Sequence, residues 1–202
     1  MPIHKCPSIE DLQKARKVFL KNEPRDLFYR IATELIELAI NGKTEVTLSE
    51  ALAVLLQTWN RAYYQFRPFD NEHFSKIDHL IEKYAEEIIT DFRTRSILSV
   101  CKRDEDKISK IFGVFEQVLG PVGTAKSLHL LAPRFFPLWD RAIAEAHGVP
   151  MGPVGTNAGL YWSFMEISRK QCETLDGTLP QENNPLKRID EYNYCHYTKH
   201  WI

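Results

Sequence analysis

The sequence predicts an all-α fold. Apolar residues recur every three or four positions through most of the 202 residues, whereas the two-residue alternation typical of strands is rare. Capping residues and prolines precede the apolar segments, and glycines or prolines follow them. Hydrophobic residues make up 44% of the chain, which is enough for a substantial core. We therefore expect a single all-helical domain over residues 1–202, or two closely joined helical lobes.

Capping and breaking residues set the predicted helix boundaries. The predicted helices cover, in chain order, about 9–21, 24–40, 48–66, 71–90, 104–119, 124–131, 137–147, 157–175 and 186–199. Capping-box patterns at Ser8/Asp11 and at Thr47/Glu50 open the first and third helices. Prolines open the second and seventh, since proline suits the first helical turn. The loop DGTLPQENNP separates the last two helices.

The net charge of the chain limits the kinds of binding partner that can be expected. The formal net charge is -1, from 26 Lys+Arg against 27 Asp+Glu, which argues against a wide DNA-binding surface but allows a local one. A short basic segment is either a small phosphate-facing patch or a solvated surface; it contains Arg93, Arg95, Lys102 and Arg103. No apolar run approaches the roughly 20 residues that span a bilayer, and the N-terminus lacks the apolar segment of a secretory signal. We expect a cytoplasmic monomer that does not contact membranes.

The four cysteines predict reduced thiols rather than a metal site. They are Cys6, Cys101, Cys172 and Cys195, and no two have the CxxC spacing. Zinc bound by Cys172, Cys195, His196 and His200 is the alternative. Closed zinc sites usually pair their ligands at tighter, repeated spacings. We therefore expect no metal and no cofactor.

The segment VLGPVGTAKSLHLLAPRFFPLWDRAIAEAHG carries the clearest chemical signal. A helix ends, a glycine-containing hairpin turns the chain at 120–123, and a second helix begins. The first amides of a helix lack partners within the helix, and the helix dipole is positive at that end. Such amides can bind an anion such as a phosphate. The glycines allow a close backbone approach.

The same segment resembles the helix-hairpin-helix motif of the DNA glycosylase superfamily, over about 104–132. The matching residues are Leu119, Gly120, Val122, Gly123, Thr124, Ala125, Leu128, Leu130, Leu131, Phe136, Pro137, Asp140 and Ile143. The run AKSLHLLAPRFFPLWD is similar to the lysine-bearing branch that includes the 8-oxoguanine DNA glycosylases. Outside residues 108–146 the resemblance rests on helical content alone.

The resemblance implies a DNA repair enzyme that excises a damaged purine, such as 8-oxoguanine, from double-stranded DNA, with or without lyase cleavage of the strand. It implies that Lys126 attacks the sugar and that Asp140 stabilises the cationic sugar. The implied phosphate-binding residues are Gly120, Val122, Gly123 and Thr124. A base flipped from the duplex needs an aromatic pocket, for which the candidates are Trp139, Tyr161 and Trp162.

Several alternatives remain open at the level of sequence. Lys126 lies three residues after Gly123 and 14 residues before Asp140, both unlike the common family spacing, and one residue turns a helix by about 100°. Lys126 could be a surface residue, and Asp140 could serve only as a helix cap. Trp139 could be plain core, and we interpret His129, on an apolar face, as a core histidine. The alternative functions are a non-catalytic nucleic-acid-binding protein and a helical protein-interaction module in phage or host defence.

Overall fold

A computed structural model describes residues 6–175 and 184–202 of the chain. These residues form helices and connecting segments, with no β-strand among them, which confirms the predicted all-α class. The α-helices are α1 (Ile9–Asn22), α2 (Asp26–Ile40), α3 (Leu48–Trp59), α4 (Arg61–Tyr64), α5 (Asn71–Ile88), α6 (Glu105–Leu131), α7 (Arg141–Ala146), α8 (Ala158–Leu175) and α9 (Pro185–Asn193). Two π-helical turns, Ile89–Arg93 and Tyr194–Thr198, and two 3₁₀ turns, Ile97–Ser99 and Lys102–Asp104, complete the regular structure. The loop predicted between the last two helices lies almost entirely outside the described residues.

Both predicted capping boxes are confirmed. The Ser8 hydroxyl accepts a hydrogen bond from the Asp11 amide at 3.1 Å, and the Asp11 carboxylate accepts one from the Ser8 amide at 3.0 Å. Thr47 and Glu50 make the same reciprocal pair at 3.2 and 2.7 Å. Each pair satisfies two amides that would otherwise lack partners at a helix start.

Helix α6 is interrupted at Gly120, within the hairpin predicted at 120–123, but Gly120 is the one residue of α6 with a non-helical conformation. Gly120 has φ 67° and ψ 168°, a non-helical conformation inside the span of α6. The first half of α6 therefore ends at Leu119 and the second begins at Pro121, three residues earlier than predicted. Proline fits this position because it needs no amide partner and its φ is already helical.

The prediction that a helix begins at Pro137 is wrong. Helix α7 begins at Arg141, and the preceding residues run as an irregular buried segment. The Phe136 carbonyl accepts a hydrogen bond from the His129 ring, and the Pro137 carbonyl accepts one from the Tyr161 hydroxyl. These tertiary contacts satisfy the backbone without a helix, so the proline does not initiate one.

The third predicted helix also ends earlier than expected. It was predicted to continue to residue 66, but α3 ends at Trp59, and Asn60 adopts a non-helical conformation before the short helix α4. The Asn60 side chain is buried and lies 3.4 Å from the Leu119 carbonyl, to which its amide donates. The break therefore allows Asn60 to reach the end of the first half of α6.

The core is built around α6. This helix packs against α3, α5 and α8, while α1 packs on α9 and α2 packs on α3. The largest fully buried side chains are aromatic, and two of them, Trp139 and Tyr161, pack against Phe112 of α6. None of the helices in the described ranges is long and apolar enough to cross a membrane.

Candidate active site

A cavity lies where α1, α3, α6 and α9 approach the start of α7. Its apolar wall consists of Phe19, Trp59, Leu138 and Trp139. Its polar residues are Glu23, Arg25, Lys126, Asp140, Asp190 and Tyr194. The cavity adjoins a wider surface groove, since Lys126 and Asp140 line both. The two residues that the resemblance assigns to catalysis therefore share one cavity.

Lys126 lies in the second half of α6, and its amine donates a hydrogen bond to the Trp59 carbonyl. That carbonyl is available because α3 ends at Trp59. The amide of Tyr63, which would bond to it in a continuous helix, bonds to the Asn60 carbonyl instead, at 3.0 Å. The break at Asn60 thus supplies the partner that orients the Lys126 amine.

Burial lowers the pKa of the Lys126 amine to about 8, despite the opposing effect of the Asp140 and Asp190 carboxylates. A charged amine is poorly solvated in this cavity, so the neutral form becomes accessible near neutral pH. A neutral amine can donate one hydrogen to the Trp59 carbonyl and still present its lone pair. This is the state that a nucleophilic lysine requires.

Asp140 is fixed at both carboxylate oxygens. It is the N-cap of α7, and its Oδ1 accepts a hydrogen bond from the Ile143 amide at 2.9 Å. Its Oδ2 accepts one from the Thr198 hydroxyl at 2.9 Å. Asp140 is therefore a helix cap and a residue of the cavity wall at once, so the capping interpretation does not exclude the catalytic one.

A second carboxylate, Asp190, faces the same cavity from α9. It is 9% exposed, and burial raises its pKa to about 6, although the neighbouring Lys187 opposes that shift. The Lys187 amine lies 3.6 Å from Asp190 and also contacts Asp26 and Glu191, both at 3.5 Å. The ionic state of the cavity wall is therefore coupled to a buried cluster behind it.

Glu23, Arg25 and Tyr194 form a hydrogen-bonded network in the lining of the cavity. Arg25 donates to both Glu23 oxygens, at 2.7 and 2.5 Å, and to the Tyr194 hydroxyl at 2.7 Å. Tyr194 donates in turn to Glu23 at 2.6 Å. Burial tends to raise the pKa of Glu23, but these hydrogen bonds outweigh it and hold that pKa at about 2. Glu23 is consequently a fixed anion paired with Arg25.

The predicted phosphate-binding residues divide into two groups. Gly120 and Val122 line the groove, whereas Gly123 and Thr124 are buried beneath it and do not line it. The Thr124 hydroxyl donates to the Gly120 carbonyl at 2.9 Å, so that hydroxyl stabilises the turn. The groove surface of the hairpin is therefore formed by Gly120, Pro121 and Val122.

The three aromatic residues suggested for a base pocket also divide. Trp139 lines the cavity, and no atom of the described chain accepts a hydrogen bond from its buried Nε1–H. Tyr161 is fully buried and stacks on Phe112 at 4.4 Å, and Trp162 is buried on the same helix. Neither Tyr161 nor Trp162 lines the cavity. The structure therefore brings only Trp139 to Lys126 and Asp140.

Exposed cations lie along the groove. Arg61, Arg141 and Lys199 line it, and none of the three pairs with a carboxylate of the described chain. By contrast, residues of the basic segment noted in the sequence are engaged within the protein. Arg93 donates to the Leu131 carbonyl at the end of α6, and Arg95 pairs with Asp104 at 2.7 Å. The groove therefore has a locally basic surface.

The remaining sequence candidates have structural roles. His129 is fully buried; its Nδ1–H donates to the Phe136 carbonyl at 2.7 Å, and its Nε2 accepts from the Tyr29 hydroxyl at 3.0 Å. Cys195 is buried and its thiol contacts the Ala15 carbonyl. Among residues 6–175 and 184–202, no three His, Cys, Asp or Glu side chains are grouped so that they could hold a metal ion.

Sequence reasoning missed the cavity residues that lie far along the chain from the hairpin. Arg25 comes from the connection before α2 and Asp190 from α9, while Thr198, which lines the adjoining groove, comes from the C-terminal π-turn. No local motif marks them, because their proximity to Lys126 depends on how α1, α3 and α9 pack. A charged residue on an apolar helix face, such as Asp190 within LKRIDEYN, was the one available signal.

Comparisons with protein-family models, with curated proteins and with solved structures find no significant match to this chain. The resemblance to DNA glycosylases therefore rests on the residues of the hairpin segment alone.

Proposed function

We propose that this protein is a DNA repair glycosylase that excises a damaged purine, with Lys126 as the nucleophile and Asp140 as the group that stabilises the cationic sugar. The observation that carries the proposal is that the Lys126 amine, with a pKa lowered by burial, shares a cavity with a fixed carboxylate. A lysine with a depressed pKa beside a carboxylate in a cleft is a common mark of a catalytic site.

The chemistry follows from these two groups. The neutral amine attacks C1′ of the sugar, the bond between C1′ and the base breaks, and the base leaves with the electron pair and takes up a proton. Loss of a proton from the attached nitrogen and opening of the sugar ring give a Schiff base, from which β-elimination breaks the bond at C3′. The Asp140 carboxylate stabilises positive charge on the sugar as the base leaves.

The substrate class is supported by the walls of the cavity and the groove. Trp59, Trp139 and Phe19 offer apolar surface to a flipped base. The unpaired Trp139 Nε1–H is a buried donor, and a purine carries ring-nitrogen and carbonyl acceptors that would satisfy it. The hairpin surface and the exposed cations of the groove suit a phosphate backbone. An oxidised purine such as 8-oxoguanine is the proposed lesion.

Borohydride trapping tests the proposal, because reduction converts the Schiff base into a permanent protein–DNA crosslink. We expect the wild-type protein to be trapped on duplexes that contain 8-oxoguanine or an abasic site. Lys126→Ala should abolish trapping, whereas Lys199→Ala, which removes another amine of the groove, should retain it. Asp140→Asn keeps a good helix cap and should slow base release about 100-fold with little effect on DNA binding.

Two outcomes would contradict the proposal. Trapping of Lys126→Ala at the wild-type level would assign the chemistry to another amine. Wild-type protein that binds the duplexes but neither releases a base nor crosslinks would instead be a non-catalytic DNA-binding protein. Thermal unfolding of each variant shows whether a lost activity reflects a lost fold.

A further inference from the structure

We propose that Thr198 is a positioning residue, supplied by the C-terminal π-turn, that holds the Asp140 carboxylate toward Lys126. This inference rests on the proposed function for its biological meaning, but the contact and its effect on Lys126 can be measured without DNA. Thr198 lies 58 residues after Asp140, so no local motif links them.

The hydrogen bond from Thr198 completes the fixation of Asp140. The Ile143 amide binds Oδ1 and would by itself leave Oδ2 free to change its direction as the carboxylate rotates. The Thr198 hydroxyl binds Oδ2 at 2.9 Å and removes that freedom. With both oxygens held, the carboxylate has one orientation in the cavity that it shares with Lys126.

The π-turn places Thr198 where it can make this bond. The Lys199 amide donates to the Tyr194 carbonyl at 2.9 Å, an i to i+5 bond that takes one residue more per turn than an α-helix. Because each α-helical residue turns by about 100°, a continuous α-helix would direct residue 198 elsewhere. π-Turns of this kind occur often at functional sites.

The C-terminal turn is anchored by contacts that do not involve Thr198. The Cys195 side chain is buried against α1, the Trp201 amide donates to the Cys195 carbonyl at 2.8 Å, and the Tyr194 hydroxyl binds Glu23. Thr198 is only partly buried, and its hydroxyl makes one hydrogen bond within the described chain. Removing that hydroxyl should therefore change the Asp140 contact while preserving the fold.

The charge on Lys126 reports the position of Asp140. Three charged groups of the cavity act on the Lys126 amine: Asp140 and Asp190 favour its protonated form, and Arg25 opposes it. A carboxylate that rotates or moves away from Lys126 stabilises the ammonium less. The pH at which Lys126 becomes reactive should therefore fall when the bond from Thr198 is removed.

Reductive methylation with formaldehyde and cyanoborohydride measures the pH at which Lys126 becomes reactive, because only the neutral amine reacts. Peptide mass spectrometry follows Lys126 separately from other lysines. We expect a midpoint near pH 8 for the wild type. Asp140→Asn removes the carboxylate charge and should lower the midpoint pH of Lys126 methylation the most. Thr198→Val, which keeps the shape of the side chain but not its hydroxyl, should give at least half of that shift. Thr198→Ser should restore the wild-type midpoint.

Thr174→Val is the matched control, since the Thr174 hydroxyl bonds to the Gln171 carbonyl of its own helix and does not line the cavity. This variant should titrate like the wild type. A Thr198→Val midpoint equal to that of the wild type, in a protein whose Asp140→Asn midpoint has moved, would overturn the proposal. A lack of base release by the wild-type protein would contradict the proposed function and leave the result for Thr198 unaffected.

Discussion

Burial acts in opposite directions on the two kinds of ionisable residue in the cavity. It lowers the pKa of the Lys126 amine to about 8 and raises the pKa of the Asp190 carboxyl to about 6. In both cases the low-polarity surroundings disfavour the charged form. The cavity can therefore change its charge over a narrow range of pH, which suits a reaction in which a proton leaves an amine and a base takes one up.

His129 should make the protein sensitive to mild acid. Burial lowers its pKa from 6.5 to about 4, although the bond to Phe136 opposes the shift. Between these pH values the unfolded chain binds a proton at His129 and the folded chain does not, so the free energy of unfolding falls as the pH falls. The full loss is on the order of 3 kcal/mol.

The comparison with His129→Gln isolates this effect. Asp190 acts in the opposite direction, because its raised pKa lets the folded state bind a proton first as the pH falls below about 6. We expect the variant to be less stable than wild type at pH 7, since it loses a buried pair of hydrogen bonds, but to lose less stability between pH 6.5 and 4. Urea unfolding across this range measures both. If the free energy of unfolding changed equally with pH in the two proteins, the pH effect could not be assigned to His129.

Two helix interruptions meet beside the cavity, and each depends on the other. Asn60, at the break between α3 and α4, and Tyr63 of α4 donate to the carbonyls of Leu119 and Val118 at the end of the first half of α6. Both carbonyls belong to the last turn of the first half of α6, directly before the interruption at Gly120. The side chains of one break therefore cap the helix that ends at the other.

Gly120 should tolerate no side chain. Its φ is positive, and a Cβ there would lie 3.0 Å from the Tyr63 ring. Gly120→Ala should therefore lower the free energy of unfolding by about 1–3 kcal/mol. Gly113→Ala, in the first half of α6, is the matched control: its Cβ would meet nothing within 4 Å, and it should raise the stability by about 0.5–1 kcal/mol. Equal effects of the two substitutions would show that the interruption at Gly120 carries no constraint.

The sequence predicted the helix ends that depend on neighbouring residues and missed those that depend on distant contacts. The caps at Ser8 and Thr47 and the glycine at residue 120 act through their own neighbours, so their patterns were sufficient. The end of α3 at Trp59 was missed, because Asn60 breaks the helix in favour of a partner 59 residues away. Pro137 was misread for the same reason, since its carbonyl is satisfied by Tyr161. Tertiary contacts overrode local preference in both cases.

In the candidate site, too, the residues of the local motif were predictable from sequence and their distant partners were not. Lys126 and Asp140 could be chosen from sequence because the hairpin segment contains both. The sequence could not supply their partners, since Trp59 and Thr198 reach them from other parts of the chain. The near-neutral total charge also concealed the local one, because most carboxylates lie away from the groove.

At the scale of the whole molecule, a chain with a net charge of -1 has a groove whose lining contains more cations than carboxylates. Arg61, Arg141 and Lys199 are exposed along the groove that leads into the cavity, and the groove carboxylates are Asp140 and Glu145. If this surface contacts the phosphate backbone, each lost cation should weaken binding equally for all duplex sequences. It should also reduce the slope of log affinity against log salt by about 0.9.

Substitution of these three residues by alanine, one at a time, tests the surface by fluorescence anisotropy over a range of salt concentrations. Lys14→Ala and Lys17→Ala are the controls, since both side chains are exposed on α1 and neither lines the groove. We expect the control slopes to match that of the wild type. A loss of affinity as large for Lys14→Ala as for Arg61→Ala would place the DNA-binding surface elsewhere.

The most direct measurement of the central claim is to identify the residue that is attached to DNA after borohydride trapping. Digestion of the trapped complex and peptide mass spectrometry locate the modified lysine among the candidates Lys126, Lys187 and Lys199, all of which lie at or near the cavity. The account predicts that the deoxyribose remnant is on Lys126 alone. An adduct on another lysine, or a folded wild-type protein that binds abasic duplex and forms no adduct, would contradict it.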